Sequence, residues 1–510
     1  MTFWVTVLCA LLACLLGGLY LAGAFRKRRP KEPPLDKGTI PWLGHGLTFR
    51  SNTANFLKMM QKKHGDIFTV LIGGQYFTFL MDPLSFGNVV KEARGKLDFR
   101  DYASELVVKV FEFHAAPESH EVVETASTRH LKGNGLGVMT EAMMESLRTV
   151  MLHDLGTAEG QRQWKQDGLF HFSYNLVFRA GYLALYGNEP NTMKQDKEEA
   201  KRSDLAFSEE IYEEFRKYDK LFPRLAFSML TYGEKRKVER LKRLFWNILS
   251  VKEVYQKDNV SQWVSDQNRQ LAEAGMPEYM QDRYMFLLLW AAQGNTGPAS
   301  FWLLLHLMKN PKAMEEVRKE VDGVIRKSGQ EVKPGGEAVK ITKEMLSETP
   351  VMDSALEETL RMAAAPLLIR VVKEDMELNM NGGRVYSLRK GDKLGIFPYT
   401  AVHMDPDIHP QPHVFKYDRF LSLDGTKKEF FKNGEKVKYY TMPWGAGVSM
   451  CPGRFFAGNE MKLFVFLCLA YFDMELVNKD EEVPPIDESR YGFGVMQPTH
   501  DIQLRYRLRF

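Results

Sequence analysis

Trp444-Gly445-Ala446-Gly447-Val448-Ser449-Met450-Cys451-Pro452-Gly453-Arg454 is the stretch on which the reading of this chain turns. It joins a glycine-rich loop to an apolar run, Phe455, Phe456, Leu463, Phe464, Phe466 and Leu467, spaced as a buried helix. Pro452 suits a first helical position, so Cys451 is expected at a helix N-terminus. There the positive dipole end and the backbone N–H groups favour a thiolate. Gly445, Gly447 and Gly453 allow a tight backbone that a flat ligand can approach, and Trp444 is placed to pack against such a ligand. The other cysteines are Cys9, Cys14 and Cys468. A lone cysteine does not build a zinc or iron–sulfur centre, and an axial thiolate on haem iron is the economical reading.

Outward from this loop, three further stretches support one site. Leu289-Trp290-Ala291-Ala292-Gln293-Gly294-Asn295-Thr296-Gly297-Pro298 lies in an apolar helix starting near Asp282, and Gly294, Gly297 and Pro298 weaken its hydrogen-bond ladder. A local bulge with a free carbonyl is predicted, with the amide of Asn295 and the hydroxyl of Thr296 placed to relay protons. Trp290 precedes Gly294 by one turn and shares its face. Glu358 and Arg361 are three apart on a helix, and with Arg419 they form a carboxylate between two guanidiniums, a clamp from helix to loop. After Pro366 the run Leu367-Leu368-Ile369-Arg370 reads as extended.

These stretches together resemble the cytochrome P-450 family of haem-thiolate monooxygenases, with Trp444 in place of the usual Phe and Ser449 in place of the usual basic residue. The resemblance implies a mainly α fold with small β-sheets, haem b held by Cys451, and Arg370 on one haem propionate. Arg129 and Lys132 are its candidates for the other. Thr296 takes the family's threonine position, and Asn295 replaces its carboxylate. Trp290, Gly294, Pro366, Leu367, Val495 and Met496 are expected to line the substrate pocket, and Glu358, Arg361 and Arg419 to support the cysteine loop from behind. Dioxygen and NADPH-derived electrons from a separate membrane-bound reductase are the implied co-substrates.

The resemblance extends over essentially the whole chain and is strongest to the sterol hydroxylases of bile acid synthesis. It implies 7α-hydroxycholest-4-en-3-one as substrate and carbon 12 as the position hydroxylated. The alternatives are a sterol 7α-hydroxylase, a haem-thiolate isomerase of the prostacyclin synthase type, against which the retention of Thr296 argues, and a non-catalytic haem-binding membrane protein.

Composition sets the outer bounds. With 510 residues, 44% of them hydrophobic, the chain can bury a large core, and a formal net charge of +4 gives no sign of nucleic acid. Phe3 to Phe25 carries no charge and is long enough to cross a ~30 Å hydrocarbon layer; Arg26-Lys27-Arg28-Arg29 then favours a cytosolic location for the rest of the chain. The organisation expected is a transmembrane anchor at 1–25, a basic, proline-rich hinge at 26–41 and a haem domain at 42–510, held on the endoplasmic reticulum membrane. Ile67 to Leu80 reads as a hairpin about Gly73-Gly74. Lys132-Gly133-Asn134-Gly135-Leu136-Gly137 reads as a loop, because no strand precedes it and its sixth position is wrong for a dinucleotide site. His403, His409 and His413 are separated by prolines and are not expected to share a metal.

Overall fold

The computed structural model describes residues 2–21, 23–116, 119–153, 163–190, 197–333, 337–422 and 424–509. It is mainly helical with small sheets, as the sequence predicts. The apolar N-terminal run forms the helix Thr2–Leu21, exposed from Trp4 onward apart from a few positions. Its length and composition are those of a membrane span.

The helical core centres on two helices in sequence, Glu278–Gln293 and Thr296–Lys309. The second is buried from Thr296 to Leu307 and packs on the helices Leu169–Tyr186, Pro350–Ala363 and Arg454–Tyr471. Close approach is made possible by small residues: a Cβ at Gly297 would collide with the ring of Tyr174, and one at Gly181 with Gln293. Each fully buried aromatic in this core contributes roughly 1.5–3 kcal/mol by removal from water.

A second apolar core lies beneath a six-stranded sheet. Its strand order is Leu35–Asp36, Ile67–Ile72, Gln75–Leu80, Lys393–Ile396, Leu368–Val372 and Leu97–Asp98. The predicted hairpin is present, with Ile72 opposite Gln75. Both turn residues have positive φ, 55° at Gly73 and 80° at Gly74, which is the reason both are glycine. Three-stranded and two-stranded sheets complete the β content. Two polar loops, at Asn188 and Asp258, pair with each other, Asn188 N–H donating to Asp258 O (2.8 Å) and Asp258 N–H to Asn188 O (3.0 Å).

Two local readings are corrected. Gly133 opens the long helix Gly133–Leu152 rather than lying in a loop. A Cβ at Gly135 would strike the carbonyl of Arg129, so the glycines let this helix start against the end of the one before. Pro452 is not the first helical residue either: Pro452 and Gly453 make a turn, and the helix proper is Arg454–Tyr471.

Candidate active site

The cysteine loop is built by its glycines. Gly445 and Gly447 have φ of 72° and 64°, a region that disfavours side chains, and a Cβ at Gly447 would collide with the carbonyl of Val90. The turn brings Cys451 N–H to the Trp444 carbonyl at 2.8 Å, leaving the thiol half-buried. Burial pushes the Cys451 thiol up, while the N–H groups of Gly453 and Arg454 and the charge of Arg454 oppose that. The helix-start effect is therefore present but smaller than desolvation.

The central helix breaks where expected. Gly294 N–H donates to Trp290 O (2.8 Å), the Thr296 hydroxyl to Ala292 O (2.8 Å), and the new helix starts after Asn295. At the break the Gly294 carbonyl accepts the buried Tyr174 hydroxyl at 3.4 Å. The Asn295 amide oxygen is also committed, accepting the N–H of Val495 at 2.8 Å. Gly494, with φ of 105°, lies so close to that amide that a Cβ would strike it. Asn295 thereby clasps the C-terminal loop through its amide oxygen.

The same loop continues the circuit. Ala365 N–H donates to Gly494 O (2.8 Å), Gly492 N–H to Ala365 O (2.9 Å) and Met496 N–H to Ala363 O (2.9 Å). Pro366, Leu367 and Leu368 come next, half-buried, and a Cβ at Gly445 would sit 3.7 Å from Leu368 Cδ2. The cysteine helix returns to the central helix through Glu460, whose carboxyl receives Gln293 Nε2 at 3.4 Å. These contacts close a ring. Ala291 is exposed and Trp290 and Ala292 half-exposed, in a helix packed among several others. Exposure there marks an internal, mostly apolar space between the broken helix and the cysteine loop.

Of the expected lining residues, Val495 is half-buried, and Gly294 lies beneath the indole of Trp290. Met496 does not face the space: it is fully buried in the sheet-side core, with its carbonyl accepting Trp302 Nε1–H at 2.7 Å. Phe493, on the same loop, is half-buried and meets Phe222 edge-on at 5.2 Å.

Glu358 lies fully buried between two guanidiniums. Arg361 grips it through Nε (2.7 Å) and Nη2 (2.9 Å), and Arg419 Nε reaches both its oxygens (2.9 and 2.8 Å). The remaining donors of the two arginines hold the carbonyls of His403, Pro410, Gln411, Pro412 and Val414, pinning the loop ahead of the cysteine stretch. His403 and His409 are buried against backbone groups, Met442 N–H and Tyr440 O, and burial lowers both to about 3.

A flat, dianionic macrocycle fits these residues. Arg370 is 6% exposed, and its one hydrogen bond among the described residues is to the carbonyl of Ile369. Burial lowers its pKa, Asp98 opposing. Such a cation calls for an anion at its free end. Of the other two candidates, Arg129 pairs with Asp266 at 3.0 Å, and Lys132 is exposed. A cation from a distant segment tied to the cysteine loop is Arg94, which donates to Val448 O at 3.2 Å. It shares Glu124 with Arg100, and both line, with Arg129, an open pocket of about 610 Å³. No spacing in the sequence ties Arg94 to a loop 354 residues away.

A family model for cytochrome P450 matches residues 33–505. The chain belongs to the cytochrome P450 family. As a P450 it is a haem-thiolate monooxygenase, and family membership implies haem b. The 7-alpha-hydroxycholest-4-en-3-one 12-alpha-hydroxylases of Oryctolagus cuniculus and Homo sapiens are each 51% identical to it. They span 100% of this chain and 99% of their own length. Prostacyclin synthase of Homo sapiens is 44% identical over 94% of this chain and 95% of the relative.

One P450 residue was missed by sequence reasoning. Glu460 is 1% exposed on the cysteine helix, beside Gln293 and the Thr296 hydroxyl, with no cation paired to it among the described residues. Burial raises it to about 8, against the two hydrogen bonds. An acidic residue inside the apolar run Phe455 to Tyr471 was the available signal. From about pH 4.5 to 8 the folded form keeps this proton and the unfolded form does not, so stability falls as pH rises through that window. In Glu460→Gln the thermal midpoint is expected to drop less between pH 6 and pH 8 than in the wild type; equal drops would show the carboxyl already ionised.

Proposed function

We propose that this P450 hydroxylates 7α-hydroxycholest-4-en-3-one at the 12α position, as a step of bile acid synthesis. It would draw electrons from an NADPH-dependent reductase on the endoplasmic reticulum membrane, with its haem domain on the cytosolic side. The observation that carries this reading is the full-length 51% identity to relatives named for that reaction. The apolar helix Thr2–Leu21 with Arg26 to Arg29 after it supports the anchoring and its orientation.

Bound haem supplies dioxygen activation, and its iron and propionates would be held by Cys451, by Arg370 and by the guanidiniums around Arg94. The chain's own residues orient the substrate and handle protons. Trp290, Leu367, Phe493 and Val495 exclude water around an apolar ligand. The Thr296 hydroxyl donates to Ala292 O and keeps a lone pair for a proton donor, while the neutral carboxyl of Glu460 beside it is a store of one proton. This arrangement favours an oxygen-consuming reaction over an isomerisation, which needs no proton delivery.

Incubating the purified P450 with reductase, NADPH and a panel of sterols, then analysing the products, tests the reading; turnover without NADPH, or oxidation at another carbon, refutes it. Thr296→Ala is expected to lower product per NADPH oxidised by roughly tenfold or more, the electrons going to hydrogen peroxide. Unchanged stoichiometry would remove Thr296 from proton handling.

A further inference from the structure

Asp219 ends the helix Lys197–Asp219, is 1% exposed, and holds the C-terminal loop by both ends. At the near end Arg490 donates to its two carboxylate oxygens (3.2 and 3.0 Å) and to its backbone carbonyl (2.7 Å). At the far end Gln497 Nε2 donates to the same carboxylate at 2.8 Å. Arg216, one turn back on the helix, donates to Asp219 Oδ2 at 2.5 Å and to Gln497 Oε1 at 3.1 Å, which closes the knot. Between Arg490 and Gln497 runs the stretch carrying Phe493 and Val495. Its tip is fixed separately, Val495 N–H donating to Asn295 Oδ1 at the break in the central helix.

The same carboxylate is joined to the opposite wall. Phe222 opens the next helix, Phe222–Ala226, and stacks on Trp290 at 4.3 Å with the planes 13° apart. Phe493 closes edge-on against Phe222. Arg216 also lies over the ring of Tyr174 at 4.6 Å, and the Tyr174 hydroxyl donates to Gly294 O beside Trp290. Burial pushes the Asp219 carboxyl up, but Arg490, Arg216 and Gln497 outweigh it and hold it below the usual carboxylate range, so it stays charged. Apolar side chains of similar volume would pack such a spot at least as stably. What the charges add is direction, since two guanidiniums and an amide satisfy one carboxylate only when helix and loop are in register.

We propose that Asp219 is a positioning residue for regioselectivity: it sets the spacing between the wall of Phe222 and Trp290 and the wall of Phe493 and Val495, and so decides which carbon of an apolar substrate is presented. Apolar walls offer no directional bond, so their spacing fixes the pose, and a misplacement of about 1 Å changes a rate by up to about a hundredfold. The sterol used as substrate rests on the reading under Proposed function; the knot and its grip on the two walls do not.

The test uses the full-length holoenzyme with reductase and NADPH. Asp219→Asn keeps the size, removes the charge and sets an amide NH2 beside two guanidiniums. Gln497→Met keeps the ion triad and about the same volume, and takes away only the amide at the far end of the loop. With 7α-hydroxycholest-4-en-3-one, the ratio of the main product to products oxidised at other carbons is expected to fall roughly tenfold in Asp219→Asn and roughly threefold in Gln497→Met. An unchanged ratio in both, whatever the thermal midpoint does, reduces the knot to a structural part and overturns the proposal. Where Asp219→Asn fails to retain haem, Gln497→Met decides. Spectral titration adds a readout that needs no turnover. Clotrimazole, whose aryl rings fill the space between the walls, is expected to bind the variants roughly three- to tenfold more weakly than the wild type, and imidazole, too small to meet the walls, equally well. Equal weakening of both ligands, or of neither, also overturns the proposal. If the wild type oxidises no sterol, the reading under Proposed function fails, while the two azoles still decide the role of Asp219.

Discussion

Cys451→Ser is expected to abolish hydroxylation and to remove the thiolate signature from the reduced, carbon monoxide-treated spectrum. A serine hydroxyl ionises far less readily than a thiol, and the site that burial already makes costly for a thiolate gives an alkoxide nothing to offset that cost. The loop itself should persist. Its turn rests on the positive φ of Gly445 and Gly447 and on the Cys451 N–H to Trp444 O bond, none of which uses the sulfur. Unchanged far-ultraviolet circular dichroism beside a lost Soret signature is the expected pair of results. An unaltered spectrum in the variant would place the iron ligand elsewhere and undo the functional reading with it.

Glu358→Ala is expected to have the largest effect on the fold. It strands two guanidiniums, one at 0% and one at 4% side-chain exposure, that now share a single carboxylate. Breaking a buried pair in this way costs about 3–5 kcal/mol, a large share of a typical domain's stability. The arginines also hold five carbonyls of the segment leading to the cysteine stretch, so haem retention should fall together with the thermal midpoint. Glu358→Gln keeps the shape and one acceptor oxygen, loses the charge, and sets an amide NH2 against guanidinium donors. A midpoint for Gln close to that of Ala would show that the full carboxylate, with both acceptor oxygens and its charge, is needed, and one close to wild type that a single neutral acceptor suffices. A wild-type midpoint in Glu358→Ala would show that the clamp carries no load.

Some of this protein was written in short-range pattern. The hairpin needed two adjacent glycines between β-rich runs, the helix break needed Gly294 with Pro298, and the clamp needed a carboxylate three residues from an arginine. Each rests on backbone conformation or on a period of one turn, which a few neighbouring residues specify. The same range gave the apolar anchor and the glycine loop around Cys451. The loop's electrostatics were another matter, since burial outweighs the helix-start effect at the thiol.

What only the tertiary structure decided are pairings across long stretches of chain. Asn295 clasps Val495, 200 residues on; Glu460 stands beside Thr296; Arg94 reaches Val448; Met496 is buried in the sheet-side core. The physical reason is common to all four. A local pattern states what a residue is able to bond, but the donor or charge that uses it arrives from another helix or loop, and burial then sets which protonation state and which face survive.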